Sequence, residues 1–251
     1  MNINLKYYII LLNAVLCLGL IISGCYSSNK SEKAEAEKVI KSTAIPLVVR
    51  NNEFDERKLI ESQKIKSVDR INFEISRDGR PENGKKASET NYGPGGFAQS
   101  MFFYGSSGKI KTKYIYKYDD RGYRIETIRY DSEGKPDKRY SYQYNKYGNK
   151  IKAVRYGMSG KTEKYYIYEY DEYSNLIYDI WYNADGSQEY KIENFYDQEG
   201  HKVESDGFNP SGDLQERIGY LYDKKGNIIE EIHYDGDGEK YEIVQYVYKY
   251  Y

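Results

Sequence analysis

The chain has 251 residues, 31% of them charged and 16% aromatic, with 32 tyrosines and a formal net charge of -1. Disordered segments lack aromatics, so this composition belongs to a folded, hydrophilic protein. The near-balance of charge excludes the polybasic footprint of a nucleic-acid binder and gives no basis for recruitment by anionic lipid.

Residues 1–24 read as an export signal. Lys6 supplies the positive start, Tyr7–Ile22 the apolar run, and Ser23-Gly24 the small residues before a cut. That run is about 16 residues, short of the roughly 20 that span a bilayer as a helix. Ile22-Ser23-Gly24-Cys25 resembles the lipobox of bacterial lipoproteins. The resemblance implies a diacylglycerol thioether on Cys25, which becomes the mature N-terminus, and two or more acyl chains anchor stably where one does not. The only other cysteine, Cys17, lies in the leader, so the mature chain has neither an internal disulfide nor a cysteine metal cluster.

Residues 25–67 are expected to be the lipidated N-terminus and a tether. Tyr26–Lys41 is rich in Ser, Lys, Glu and Ala; Ile45–Val49 is a short apolar run and Asn51–Ser62 is mostly polar. Residues 68–113 read as a degenerate first repeat. Ile71, Phe73 and Ile75 alternate before the turn signal Arg77-Asp78-Gly79, whereas the polar stretch Pro81–Thr90 reads as a loop.

Residues 114–251 hold five clear repeats of 26 residues. Tyr118, Tyr144, Tyr170, Tyr196 and Tyr222 are each followed four residues later by Gly122, Gly148, Ser174, Gly200 and Gly226. A second phrase keeps the same period, from Tyr130 and Gly134 to Tyr234 and Gly238. Such self-similarity signals a stacked repeat architecture. Asp119 and its copies stand where an Asx turn wants them, and Gly122 can take the positive φ of a type I turn closed by a bulge. That reading is preferred over metal ligands or catalytic carboxylates.

Tyr140, Tyr142 and Tyr144 alternate with Ser141 and Gln143, which predicts one buried and one wet face. After the turn, Ile125 and Ile128 stand three apart, and this step predicts a bulge or one aliphatic facing the other way. Short connections make the strands, of about 8 and 10 residues, sequential and antiparallel. The expected fold is therefore all-β: an antiparallel meander curled into an open sheet or two layers, tyrosines and isoleucines on its inner face. The last strand, Tyr241–Tyr251, is expected to be an exposed edge.

The phrases Y-x-Y-D-x-x-G at Tyr116–Gly122 and Tyr220–Gly226, with serine for the glycine at Tyr168–Ser174, resemble the YD repeats of the bacterial Rhs and wall-associated protein family. That resemblance covers about Tyr92–Tyr251 and implies a continuous curling β-sheet. In the family it is often a shell around a toxic cargo domain. The chain departs from the pattern in its period, in its two turns per unit and in stopping at Tyr251, so a closed shell and toxin delivery are not expected. It looks like the short lipoproteins built of such repeats, which implies a lipid-anchored protein of the bacterial envelope.

No acid/base pair, zinc spacing or phosphate loop stands out. Asp235-Gly-Asp-Gly238 echoes a calcium loop without its later ligands and reads as a turn. His201 and His233 read as solvent-exposed strand or turn residues. The expectation is a non-catalytic protein without cofactor or metal, for binding or surface architecture. Its partners are the membrane, through the lipid on Cys25, and a protein or glycan, but no nucleic acid. An immunity-type inhibitor and a glycan-active enzyme are the alternatives. Alternation points Trp181, the only tryptophan, away from the tyrosines, and Tyr165, Trp181 and Phe195 are expected to form a partner surface.

Overall fold

The computed structural model describes residues 52–251; the leader, Cys25 and the run Ile45–Val49 lie outside the described residues. Among the described residues one helix, α1 (Asn52–Ser62), precedes fourteen strands. These are β1 (Ile65–Ile75), β2 (Pro81–Tyr92), β3 (Ala98–Tyr104), β4 (Ile110–Tyr118), β5 (Arg124–Tyr130), β6 (Pro136–Tyr144) and β7 (Lys150–Gly157). They continue as β8 (Thr162–Tyr170), β9 (Leu176–Asn183), β10 (Gln188–Tyr196), β11 (Lys202–Phe208), β12 (Leu214–Tyr222), β13 (Ile228–Asp235) and β14 (Lys240–Tyr250).

Each strand pairs antiparallel with its neighbours in sequence, so the meander expected from the repeat is present. The expected open or two-layered sheet is not. β1 pairs with β14 from Ile65↔Tyr250 to Glu74↔Glu242, and the sheet closes into a barrel. The last strand is therefore no edge. Closure satisfies the backbone groups that two free edges would leave exposed, which is the general solution to the edge problem.

The turns follow the expected chemistry. Asp119 Oδ1 accepts from the backbone N–H of Arg121 at 3.0 Å and of Tyr123 at 2.8 Å. Gly122 N–H donates to Asp119 O at 2.9 Å, and Gly122 sits at φ +87°. The same bonds recur at Asn145, Asp171 and Asp223. Asp235–Gly238 is likewise the β13–β14 turn. A register shift follows each turn, between the pairs Lys117↔Glu126 and Tyr118↔Arg124 and their copies, which makes Ile125 the predicted bulge.

Pro81–Thr90 corrects the expected loop: it belongs to β2. Two register shifts against β1 and a positive φ at Asn83 break its period of two, so no alternation marked it as a strand. Gly84 is needed there because a Cβ would lie 2.4 Å from the Phe73 ring.

Residues paired across a ladder share a face. The pairs Tyr116↔Thr127, Tyr142↔Ala153, Tyr168↔Asp179 and Tyr220↔Glu231 line the inside, where Thr127 and Ala153 are buried. Ile125, Ile151, Val203 and Ile229 stand exposed on the outside, so this aliphatic column does not share the inner face with the tyrosines as expected. The bulge puts both Ile125 and Ile128 outward. Mid-strand ion pairs such as Arg217–Asp206 (2.7 Å) and Lys191–Glu193 (2.7 Å) occupy the same outer wall.

The first tyrosine column has a structural task. The hydroxyls of Tyr118, Tyr144, Tyr170, Tyr196, Tyr222 and Tyr248 donate to the carbonyls of Ala98, Arg124, Lys150, Leu176, Lys202 and Ile228, at 2.7 to 3.0 Å. Every acceptor is the first residue of the preceding strand. One clasp thus locks each hairpin to the next at the same end of the barrel.

Helix α1 lies at that end. An isolated 11-residue helix is marginal in water, and packing holds this one. Ile60 is buried with Ile65, Val68, Tyr92, Tyr246 and Tyr248. The Arg57 guanidinium stands 4.1 Å from the Phe54 ring centroid and 4.3 Å from that of Phe97, and donates to Gly122 O at 2.9 Å. At the other end of the helix, Gln63 exchanges hydrogen bonds with Asn227, at 2.9 and 3.1 Å.

Two outcomes test this architecture. In Ile71→Cys/Gln245→Cys, whose positions face each other on β1 and β14, mild oxidation should yield an intramolecular disulfide; an open sheet would leave both thiols free. Tyr144→Phe should cost about 1 kcal/mol in denaturant unfolding, while the exposed Tyr147→Phe should leave the midpoint unchanged.

Candidate functional site

The lumen gathers the barrel's unusual side chains. Inner-wall tyrosines such as Tyr116, Tyr142 and Tyr168 line the lumen and are largely but not fully buried. Burial raises the pKa of Tyr116 and Tyr168 far above the ordinary tyrosine value, and these hydroxyls stay neutral.

At the closing seam the inner wall becomes ionic. His233 on β13 meets Glu216 of β12 through Nδ1 at 2.9 Å and Glu231 through Nε2 at 3.3 Å. Glu231 also accepts from Arg70 of β1 at 2.6 Å and from the Tyr246 hydroxyl of β14 at 2.5 Å, and Glu216 accepts from Tyr241. Burial alone would push the His233 pKa down, but the two carboxylates hold it up at about 9. The His233 bond foremost draws Glu216 below the carboxylate range. Burial would raise Glu231, yet the His233 bond and the Arg70 charge leave it lowered. Four strands are stitched through one buried cation and its two acids. Contrary to the solvent-exposed position expected from the sequence, His233 is 8% exposed, because the Arg129/Arg155/Trp181 column to which it belongs faces the lumen.

On β9 to β12 the repeat thins. Asn194 stands where Tyr142 and Tyr168 stand in other repeats, Ile192 and Ile218 replace Tyr140 and Tyr166, and Gly207 replaces Arg155 and Trp181. The missing bulk opens a recess of about 150 Å³ in the lumen wall. A Cβ on Gly207 would stand 2.0 Å from the Tyr190 hydroxyl, so Tyr190 lies directly over that glycine. Asp179 flanks the recess on β9 and accepts from Trp181 Nε1 at 3.0 Å. Burial pushes its pKa up to about 6, against the Trp181 bond and the charges of Lys150 and Lys202. Lys202, on β11, lies 4.3 Å from the centroid of the Tyr220 ring. A smaller crevice of about 30 Å³ lies where α1 meets the barrel, beside Arg57 and Tyr92.

The three residues expected to form one outer patch do not share a face. Trp181 pairs with Tyr166 and Tyr190 and points into the lumen, with ring centroids 5.8 and 5.3 Å away. Tyr165 is outside, stacked on Tyr182 at 4.9 Å. Phe195 is also outside and 43% exposed, next to the Asp197 turn. The expectation rested on inward Ile180 and Tyr182, but these pair with the outward Ile167 and Tyr165, so Trp181 between them faces the lumen. Phe195 instead heads an exposed outer row with Val203, Leu221, Ile229 and Val247 on β10 to β14. Among the described residues, no group of three or more His, Cys, Asp or Glu side chains is placed to hold a metal ion.

No family model and no curated protein matches the chain. Among solved structures it is similar to a porin-like protein from Bacteroides uniformis, at 11% identity and TM-score 0.43, covering 74% of this chain and 98% of that one. It is similar to a LolA superfamily protein from Nitrosomonas europaea at 10% identity and TM-score 0.33, covering 81% and 94%. The Tc holotoxin pore of Photorhabdus luminescens matches at 14% identity and TM-score 0.30, covering 72% of this chain and only 11% of the toxin chain. At such scores these likenesses bear on neither fold nor function.

The seam network makes stability depend on pH in a defined direction. The raised His233 pKa contributes fully below its ordinary value of 6.5 and is lost as pH rises through about 9. The lowered carboxylates contribute above 4.5 and are lost as pH falls. Urea midpoints should therefore decline between pH 6.5 and 9. His233→Gln should flatten that decline and cost about 3 kcal/mol at pH 6.5, because two wall carboxylates lose their shared partner.

Proposed function

We propose that this chain is a non-catalytic binding protein of the bacterial envelope, anchored by lipid on Cys25, whose barrel lumen is the binding surface. The observation that carries the binding reading is the inner wall: a tyrosine lining that is not fully buried, an ionic seam and a recess where the repeat gives up its bulk. A barrel serving only as surface architecture has no need to thin its inner columns at one place.

The outer wall supports placing the barrel in water rather than across a bilayer. Ion pairs such as Arg217–Asp206, Lys191–Glu193 and Lys117–Glu126 stand along the strands. A lipid-facing band is apolar, and a charge at its middle costs about 2–4 kcal/mol. Attachment to the membrane then falls to the N-terminus, where Ile22-Ser23-Gly24-Cys25 resembles a lipobox. The Y-x-Y-D-x-x-G phrases and the barrel they build fit a short YD-like repeat lipoprotein.

The anchor is tested with Cys25→Ser expressed in bacteria. The variant should accumulate as unprocessed precursor without acyl label; labelled, mature protein would remove Cys25 from the proposal. The binding surface is tested separately, by crosslinking on intact cells from a photoreactive residue in place of Tyr116 in the lumen or of Tyr147 outside. Captured ligand should depend on the lumen position, and capture only from position 147, in the β6–β7 turn, would move binding out of the lumen.

A further inference from the structure

Two groups beside the recess carry charges without partners in contact. Asp179 is bonded only by the Trp181 N–H, and Lys202 rests on the Tyr220 ring; neither makes an ion pair among the described residues. The charges of Lys150 and, less strongly, Lys202 both act on Asp179. Asp179 and Lys202 stand on β9 and β11, with β10 between them; Asp179 lies opposite Ile192 and Lys202 is level with Tyr196, so the two line the recess from two levels along the strands. The floor between them is Ile192 and Asn194, and Ile218 stands beyond on β12. The second acid at the recess, Glu216, is already taken by His233 and Tyr241.

This arrangement has one negative pole, one positive pole and an apolar floor between them. An uncharged ligand would leave both poles unpaired in a partly dehydrated wall, where an unpaired charge is costly. A simple amine would satisfy Asp179 and repel Lys202, and a simple anion would do the reverse. A neutral sugar would want a free aromatic face, yet Lys202 already covers Tyr220. A molecule carrying both charges on a short backbone, with an apolar side chain, satisfies every group at once. A recess of about 150 Å³ holds one such molecule.

We propose that the recess binds a small zwitterion of the α-amino-acid class, its ammonium on the Asp179 carboxylate, its carboxylate on the Lys202 ammonium and its side chain against Ile192 and Ile218. The assignment rests on the reading of the lumen as a binding surface and names its ligand. No covalent step is involved.

Trp181 supplies the readout, since it is the only tryptophan and bonds Asp179 directly. The full chain would be titrated with L-leucine, N-acetyl-L-leucine, L-leucinamide and glucose, following tryptophan emission and, independently, calorimetric heat. Leucine should bind saturably, and the acetylated and amidated analogues at least tenfold more weakly. Asp179→Asn keeps an oxygen for the Trp181 N–H and should weaken leucine at least tenfold while leaving the N-acetyl analogue unchanged. Lys202→Met should do the same with respect to the amide. Far-UV circular dichroism of both variants confirms that the barrel has formed. Equal binding of leucine and its two analogues would overturn the zwitterion assignment. So would binding of glucose but not leucine, which leaves the lumen as the binding surface. Absence of saturable binding by all four, together with lumen-independent crosslinking, would overturn both readings.

Discussion

Fourteen strands in a row leave two free edges, and the pairing of β1 with β14 removes both. Everything inside the barrel depends on that pairing. Without it the tyrosine face would be one side of a broad sheet, bathed by bulk water and free to pair with other chains. With it the same face becomes a wall around a lumen, and the end of that lumen offers the ledge on which α1 packs. Closure also brings Arg70 of β1 within 2.6 Å of Glu231 on β13, across β14. The ionic network at the seam is thus a product of closure and a lock upon it.

The electrostatics divide by wall. Outer pairs such as Lys117–Glu126 face water and salt, where exposed pairs contribute about 0–1 kcal/mol. Inner pairs differ because their partners are dehydrated together. Arg70, Glu231, His233 and Glu216 alternate in sign, with tyrosine hydroxyls completing the carboxylate shells. Removing one member strands another, so the cost of breaking the network exceeds any benefit counted pair by pair. Asp179 and Lys202 also stand on the inner wall, outside this network, and they flank the recess.

The repeat separates structure from use. Positions that make turns and clasps barely vary: an Asx residue opens the turn, a residue with positive φ closes it, and a tyrosine hydroxyl reaches the preceding strand. Ser174 takes the glycine's place at φ 63° and the turn survives, because its hydrogen bonds hold the backbone there. Inner columns away from the turns vary freely. Tyr142 and Tyr168 become Asn194, and Arg155 and Trp181 become Gly207. The barrel keeps its hoops and changes its lining.

Much of the local structure was legible in the chain because its causes are local. The 26-residue period, the Asx-Gly turns, the antiparallel order and the inward tyrosines of β6, β8 and β12 follow from neighbours a few residues apart. The bulge at Ile125 was legible too, as a step of three between Ile125 and Ile128, but which of the two faces beyond it turns inward was not, because only the pairing with the next strand decides it. That is why Trp181 was placed outside when its true partners are Tyr166 and Tyr190. β2 escaped notice because its own bulges erase the alternation by which strands are read. Closure could not be read at all, since it joins Ile65 to Tyr250 across nearly the whole described chain and no local pattern encodes it. The buried state of His233 and the recess at Gly207 depend on that closure. The sequence determined the hoops and their turns; the number of strands at which the curl meets itself, and so which side chains share a lumen, was decided by the tertiary structure.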